Sequence, residues 1–286
     1  MRVEWISIQG SGEWNEDAVV INEAQGLYGV IDGATSLVPF RGPNQETGGR
    51  LASQLVKRYL EDYTGPIPAY GGLEQLLKQA NLLLRQEMEV CGIDLNAKEQ
   101  LWTAGIALIQ VTETHVEFAQ LGDCMIYALY QDGSIRTITW DHVAHIDQET
   151  MLLIKQGLAS EAGAKEGLKT QVKAKILANK QKMNTPEGYS VLNGDPAAEL
   201  YIESGKLNRI MLRGLILVTD GLFFPQDMED NDQDRHETMI RHMSATNLQA
   251  YADWLLQLEN EDSACIRYPR FKTSDDKSAI WLHFGT

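Results

Sequence analysis

Hydrophobic residues fall into short blocks whose period changes along the chain. Residues 19–21 and 27–31 are β-branched runs, and the second stops at Asp32-Gly33. Short apolar runs bounded by turn residues predict strands. Over 50–63 the spacing becomes helical, with Leu51, Leu55, Val56 and Tyr59 on one face, and Gly65-Pro66-Ile67-Pro68 ends the segment. A second helix is predicted over 73–90, with Leu76, Leu77, Ala80, Leu83 and Leu84 on one face and Gly92 just past its end.

The middle of the chain reads as strand. Residues 102–111 are almost wholly apolar, which suits a strand buried on both faces, and 115–118 alternate as a half-buried strand does. Segments 125–130 and 135–140 flank the turn Gln131-Asp132-Gly133-Ser134, so 102–140 predicts a meander of antiparallel strands. Residues 147–178 have a helical pattern rich in Gly, Ala and Lys. A strand over 215–219 ends at Asp220-Gly221, a helix covers 248–258 and a strand over 279–284 closes the chain. Strand clusters separated from helix clusters indicate an α+β fold rather than βαβ alternation. No repeat or Pro/Ser-rich linker divides the chain, so one domain over 1–286 is expected, with the acidic stretch 227–234 as an exposed loop. Trp102 and the other aromatics are expected in the core.

Charge narrows the function. The 286 residues carry 40 Asp plus Glu against 25 Lys plus Arg, a net −15. That balance argues against a general nucleic-acid binder or a polybasic membrane-surface protein. The longest apolar stretches reach about ten residues, well short of the roughly 20 needed to span a bilayer. Met1-Arg2-Val3-Glu4-Trp5 lacks the basic start and apolar run of a signal peptide. Three cysteines (Cys91, Cys124, Cys265) without a CxxC pair exclude a disulfide scaffold or a cysteine-rich zinc module. A soluble, cytoplasmic protein is expected.

Part of the acidic excess sits at the ends of apolar segments. Asn15-Glu16-Asp17 precedes one predicted strand, Asp32-Gly33 and Asp220-Gly221 close two others, and Asp275-Asp276 stands before the last. Ends of neighbouring strands lie about 5 Å apart, so such carboxylates converge if their strands are neighbours. Gathered carboxylates repel one another and favour a divalent cation, and their hard oxygens select Mg²⁺, Mn²⁺ or Ca²⁺ over zinc. Glycine after the aspartate permits a sharp turn and a close carbonyl approach. Asp132-Gly133 is the plain case, a hairpin turn.

In order and context these pieces resemble the metal-dependent protein serine/threonine phosphatase family (PPM or PP2C type). The matching segments are Asn15-Glu16-Asp17-Ala18, Gly29-Val30-Ile31-Asp32-Gly33-Ala34, Leu121-Gly122-Asp123-Cys124, Leu217-Val218-Thr219-Asp220-Gly221-Leu222-Phe223 and Asp275-Asp276-Lys277-Ser278-Ala279. Thr139-Trp140-Asp141-His142 resembles a segment of bacterial-type members. The resemblance implies a four-layer αββα sandwich and two Mn²⁺ or Mg²⁺ ions. It implies that Asp32 bridges them, that the Gly33 carbonyl contributes to one, and that Asp220 and Asp275 complete the other. Asp275 is preferred to Asp276 because Ser278 follows it by three, as the family's hydroxyl residue does. Glu16 and Asp17 would ligate directly or through water, and Asp123 matches an acid that can hold a third, looser ion. Asp32 and Asp220 would thus be catalytic through metal-activated water, with a phosphorylated protein as substrate.

The sequence also departs from that pattern. Gly12 stands where the family carries a phosphate-gripping arginine, and Arg41 or Arg50 is the conjectural replacement. Ala34 replaces a histidine or methionine, and Met125 and Phe224 replace an arginine and an acidic residue. Two readings stay open: an active, divergent phosphatase, or a catalytically impaired regulator that still binds metal or phosphoprotein. The basic tract 163–182 reads as a solvated helix face or as a substrate-selecting lid, within a flap insertion around 147–194. Its return would be 184–194.

Overall fold

Alternate residues of the central strands face two different cores, which is why these segments are apolar throughout. In β9 (Leu212–Val218), Leu215 and Leu217 point toward the other sheet while Ile216 and Val218 point toward helices. The computed structural model describes residues 1–34, 36–68, 71–158, 165–226 and 234–285, with backbone alone for 156–158 and 165–169.

Two antiparallel five-stranded sheets form the centre. The first runs β1 (Arg2–Ile8), β10 (Lys277–His283), β9, β6 (Met125–Tyr130) and β7 (Ile135–Thr137). The second runs β2 (Ala18–Asn22), β3 (Leu27–Ala34), β4 (Thr103–Val111), β5 (His115–Leu121) and β8 (Glu203–Asn208). Val30, Ala107 and Ile109 meet Ile126, Leu217 and Ile280 between the sheets. Helices α1 (Gly48–Glu61) and α2 (Gly72–Val90) cover the second sheet, laying Val56, Leu77 and Leu84 among Ile31, Ile106 and Leu108. Helices α5 (Arg235–Ala245) and α6 (Leu248–Glu261) cover the first through Met239, Met243, Tyr251 and Leu255. Each fully buried aliphatic of this size contributes roughly 1.5–3 kcal/mol. The result is the α+β, four-layer αββα sandwich.

Side-chain caps set where the outer helices begin. Thr47 accepts the Arg50 N–H at α1, Asp234 those of His236 and Glu237 at α5, and Asn247 that of Ala250 at α6. Each supplies an acceptor to an otherwise orphaned helical donor.

Several expectations need correction. Residues 102–140 are not one meander: β4 and β5 belong to one sheet, β6 and β7 to the other. The crossing is made at Gly122, whose φ of +88° suits glycine. Strand β7 stops at Thr137 rather than 140, because Thr139 turns its hydroxyl to accept the Ile126 N–H at 2.9 Å. The helical tract forms two packed helices, α3 (Ala144–Leu158) and α4 (Lys165–Lys180). Its basic face is not wholly solvated, since Lys180 is 7% exposed. Edge strands β1 and β8, with one buried hydrophobic each (Ile6 and Leu207), lacked the predicted signal. Helix α5 was also not predicted. Trp102 is buried, but Trp5 and Trp140 are 56% and 71% exposed. The expectation of an exposed acidic loop falls on residues 227–233, which lie outside the described residues.

Candidate metal centre

Strand register brings the acids to one end of the sandwich. Val218 of β9 lies beside Ala279 of β10 and Met125 of β6. Asp220 therefore leaves the sheet between the segments that carry Asp275 and Asp123. In the other sheet Ala18 pairs with Ile31, which sets Asp17 beside the end of β3, where Asp32 pairs with Gly105. Across the sheets the Asp32 and Asp220 side chains face each other closely enough for each to shift the other's pKa. Asp17 Oδ2 accepts the Thr219 hydroxyl at 2.8 Å.

Electrostatics follow from that crowding. Burial raises the pKa of Asp17 well above the ordinary aspartate value, and Asp276, Asp220 and Asp275 add to it, against the Thr219 hydrogen bond. Burial raises Asp32 similarly, reinforced by Asp220, Asp17 and Asp123. Asp123 is raised by burial and by Asp220, Asp141 and Asp147. Burial and Asp275 raise Asp220. These are desolvated carboxylates whose neighbours are other carboxylates, so their repulsion is relieved by a proton or by a bound cation.

Asp275 and Asp276 are adjacent but have different duties. Asp276 spends both oxygens on backbone, accepting Gly10 N–H and Glu16 N–H at 2.7 Å each. Asp275 accepts the Lys272 ammonium at 2.7 Å and acts on Asp17 and Asp220. The segment between them and α6 is latched by Lys277. Its wholly buried ammonium donates to Glu259 at 3.0 Å, to Ser274 Oγ at 3.0 Å and to the Asp275 carbonyl at 2.9 Å.

The glycines after Asp32 and Asp220 work by small size. Neither has a positive φ. A Cβ on Gly33 would meet the Gly49 carbonyl at 2.3 Å and that of Glu16 at 2.6 Å; on Gly221 it would meet the Asp276 carbonyl at 1.9 Å. The sharp-turn explanation thus gives way to close backbone packing. Glu16 accepts the Thr47 hydroxyl at the start of α1, and its own carbonyl accepts the Gly33 N–H at 3.2 Å.

A cavity of about 540 Å³ opens beside the cluster. Asp123, Asp220 and Asp275 stand on its wall together with Asp141 and Asp147, which the sequence reading did not assign to the site. Burial, Asp220 and Asp141 push Asp147 up to about 7. The signal for both lay at the Thr139–His142 segment and the start of the following helix. Arg235 and Lys272 also line the cavity and were not foreseen.

The conjectural phosphate arginines are engaged elsewhere. Arg41 pairs with Glu13 at 2.7 Å. Arg50 donates to the Asn15 carbonyl at 2.6 Å and lies over the Trp14 ring. His142 bridges Ser190 and Glu203 at 2.5 and 3.1 Å, a tie between segments, with Ser190 also accepting the Gly122 N–H at 3.0 Å. Met125 and Phe224 line the cavity, and Phe224 stacks on Trp254.

The donor set suits hard divalent cations: aspartate oxygens, buried and held near one another. Among the described residues no three acids already converge as a finished coordination cage.

Sandwich and acid-lined end together define the class: a four-layer αββα fold with carboxylates gathered where its two sheets meet. A family model described as Protein phosphatase 2C matches residues 7–258, and the chain belongs to that family, whose members are metal-dependent serine/threonine phosphatases. Among solved structures it resembles the Staphylococcus aureus serine/threonine phosphatase Stp1. That match has 18% identity and a TM-score of 0.59, over 99% of this chain and 95% of the other. The Mycobacterium tuberculosis phosphatase PstP/Ppp matches at 17% identity and TM-score 0.59, over 100% and 99% of the two chains. The PstP catalytic domain, solved with two manganese ions, matches at 17% identity and TM-score 0.54, over 99% and 97%. At such identities the likeness concerns the fold. No curated protein matches the chain.

Proposed function

We propose that this chain hydrolyses phosphoserine or phosphothreonine in proteins, using two Mn²⁺ or Mg²⁺ ions held by Asp32, Asp220, Asp275 and the Gly33 carbonyl. Asp17 and Glu16 would complete the shells directly or through water, and Asp123 would hold a looser third ion. The observation that carries the reading is the meeting of Asp32 and Asp220 across the two sheets, with Asp17, Asp123 and Asp275 around them.

Ions bound there would lower the pKa of a shared water and neutralise the phosphate oxygens. The chain's own part is orientation. Asp276 and Lys277 fix the segment bearing Asp275 through backbone contacts. Gly33 and Gly221 allow the strand ends to approach neighbouring carbonyls. The cavity admits a phosphorylated side chain to the acid-lined wall. We read residues 1–286 as one domain and α3–α4 as a flap beside that cavity, since Ala144, Asp147, Met151 and Lys155 of α3 line it. The three free cysteines fit a reducing, cytoplasmic setting. No helix among the described residues is long and apolar enough to cross a membrane.

The test is hydrolysis of para-nitrophenyl phosphate and a phosphopeptide. Activity is expected with added Mn²⁺ or Mg²⁺ and not with EDTA; equal rates with and without metal sink the reading. The engagement of Arg41 and Arg50 away from the cavity favours a second reading, a metal-binding regulator without turnover. Mn²⁺ binding with no hydrolysis of either substrate would support it.

A further inference from the structure

The cavity beside the cluster must admit a phosphate dianion past a wall of acids. Six carboxylates and four cationic side chains line it. The four cations are Lys155, Arg235, Arg270 and Lys272, and they are not equivalent.

Arg270 is consumed by structure. Its guanidinium donates to the carbonyls of Thr273, Tyr268, Glu259 and Asp262 and to the Asp262 carboxylate. Arg235 lies over the Phe223 ring, 5.1 Å from its centroid, and 3.6 Å from Asp141. Lys155 projects from α3. Of these four, Lys272 is the one paired with an aspartate of the five-acid cluster, Asp275 at 2.7 Å. Its side chain is 43% exposed and lies on the cavity wall.

On the reading of the site as a phosphatase centre, we propose that Lys272 holds the substrate's phosphate, supplying from the segment before β10 the cation that position 12 lacks. The chemistry fits. A lysine ammonium is a compact charge with three donors on a flexible stem, suited to the non-bridging oxygens of a phosphate. Its partner Asp275 is also a proposed ion ligand, so occupancy of that carboxylate by a cation leaves the ammonium to the anion that enters the cavity. Lys272 contacts substrate and moves no proton.

Steady-state kinetics with para-nitrophenyl phosphate at saturating Mn²⁺ test this, with inorganic phosphate as product inhibitor. Lys272→Met should raise KM about tenfold and weaken inhibition by phosphate to a similar extent, while kcat changes less. Lys272→Arg should recover most of both, and the Mn²⁺ concentration giving half-maximal rate should not rise in Lys272→Met. Arg41→Ala should match the wild type. An unchanged KM and unchanged phosphate inhibition in Lys272→Met overturn the proposal, as does an effect confined to Mn²⁺ affinity. Should the wild type fail to turn over at all, the phosphatase reading fails separately. Calorimetric titration of inorganic phosphate into the Mg²⁺-loaded protein then decides: tighter binding by wild type than by Lys272→Met supports Lys272, and equal or absent binding overturns it.

Discussion

Two sets of part-buried aspartates in this molecule are treated in opposite ways. Asp262, at the end of α6, accepts the backbone N–H groups of Ile266, Arg267 and Tyr268 at 3.0–3.1 Å and pairs with Arg270 at 2.8 Å. Burial alone would raise its pKa, but those donors bring it down to about 2. Asp32, Asp123 and Asp220 are part-buried too, yet face mainly other carboxylates, and their pKa values rise. A carboxylate surrounded by donors is a finished structural part. A carboxylate surrounded by carboxylates is waiting for a cation, and the cost of gathering it falls on the metal-free protein.

The largest expected effect separates these duties by substitution. Asp220→Ala should reduce Mn²⁺-dependent hydrolysis on the order of a thousandfold or more. It should also raise the melting temperature of the metal-free protein, because a repelled charge is gone. Asp262→Ala should do the reverse. It should cost roughly 2–3 kcal/mol of stability by stranding Arg270 and three N–H groups, and it should retain most of kcat in the folded fraction. Calorimetry and phosphatase kinetics on the two variants check this; full activity in Asp220→Ala breaks the contrast.

Proton linkage sharpens it with a smaller effect. Asp147 has its folded pKa raised to about 7 from an ordinary 3.8. Between those values the folded chain holds a proton that the unfolded chain has lost. Its stabilising contribution is therefore complete below pH 3.8 and is lost as pH rises through about 7. Asp262 has the opposite sign: its contribution is present above 3.8 and disappears as pH falls through about 2. Melting temperatures of the metal-free protein should therefore decline from pH 5 to pH 8, and Asp147→Asn should flatten that decline. A metal-free protein that grows steadily more stable up to pH 8 would contradict the crowded-acid account.

Strand ends were legible in the sequence because apolar runs such as 27–31 stop abruptly at acids. The two-faced burial of β4 was legible because residues 102–111 are apolar almost throughout. Sheet membership was not. Whether the chain stays in one sheet after β5 or crosses to the other depends on β5 pairing with β8 and β6 with β9, far away in sequence. Edge strands β1 and β8 bury too little to leave a pattern. Within the candidate site, Asp17, Asp32, Asp220 and Asp275 stand out in the sequence by their position at strand ends, whereas Asp123 and the preference for Asp275 over Asp276 rest on the family resemblance. Lys272 could not be weighed, because its meaning comes from a shared cavity wall, while Asp141 and Asp147 showed only as the Thr139–His142 segment and the start of the helix after it. Nor did the hairpin dipeptide Asp132-Gly133 differ in letters from Asp32-Gly33.

That identity of letters supports the smallest prediction. Gly133 has φ +84° with open space where a Cβ would go, while Asp132 accepts from Ser134 at the turn. Gly133→Ala should therefore cost only the left-handed backbone penalty, about 1 kcal/mol, with activity unchanged. Gly33 has no positive φ but no room, and Gly33→Ala must displace the carbonyls of Gly49 and Glu16 beside Asp32. It should lose more stability than Gly133→Ala and lose activity as well. Urea unfolding of both variants, with kinetics on each, reads the difference. Equal stability losses with activity retained in both would mean that close packing is not why glycine follows Asp32.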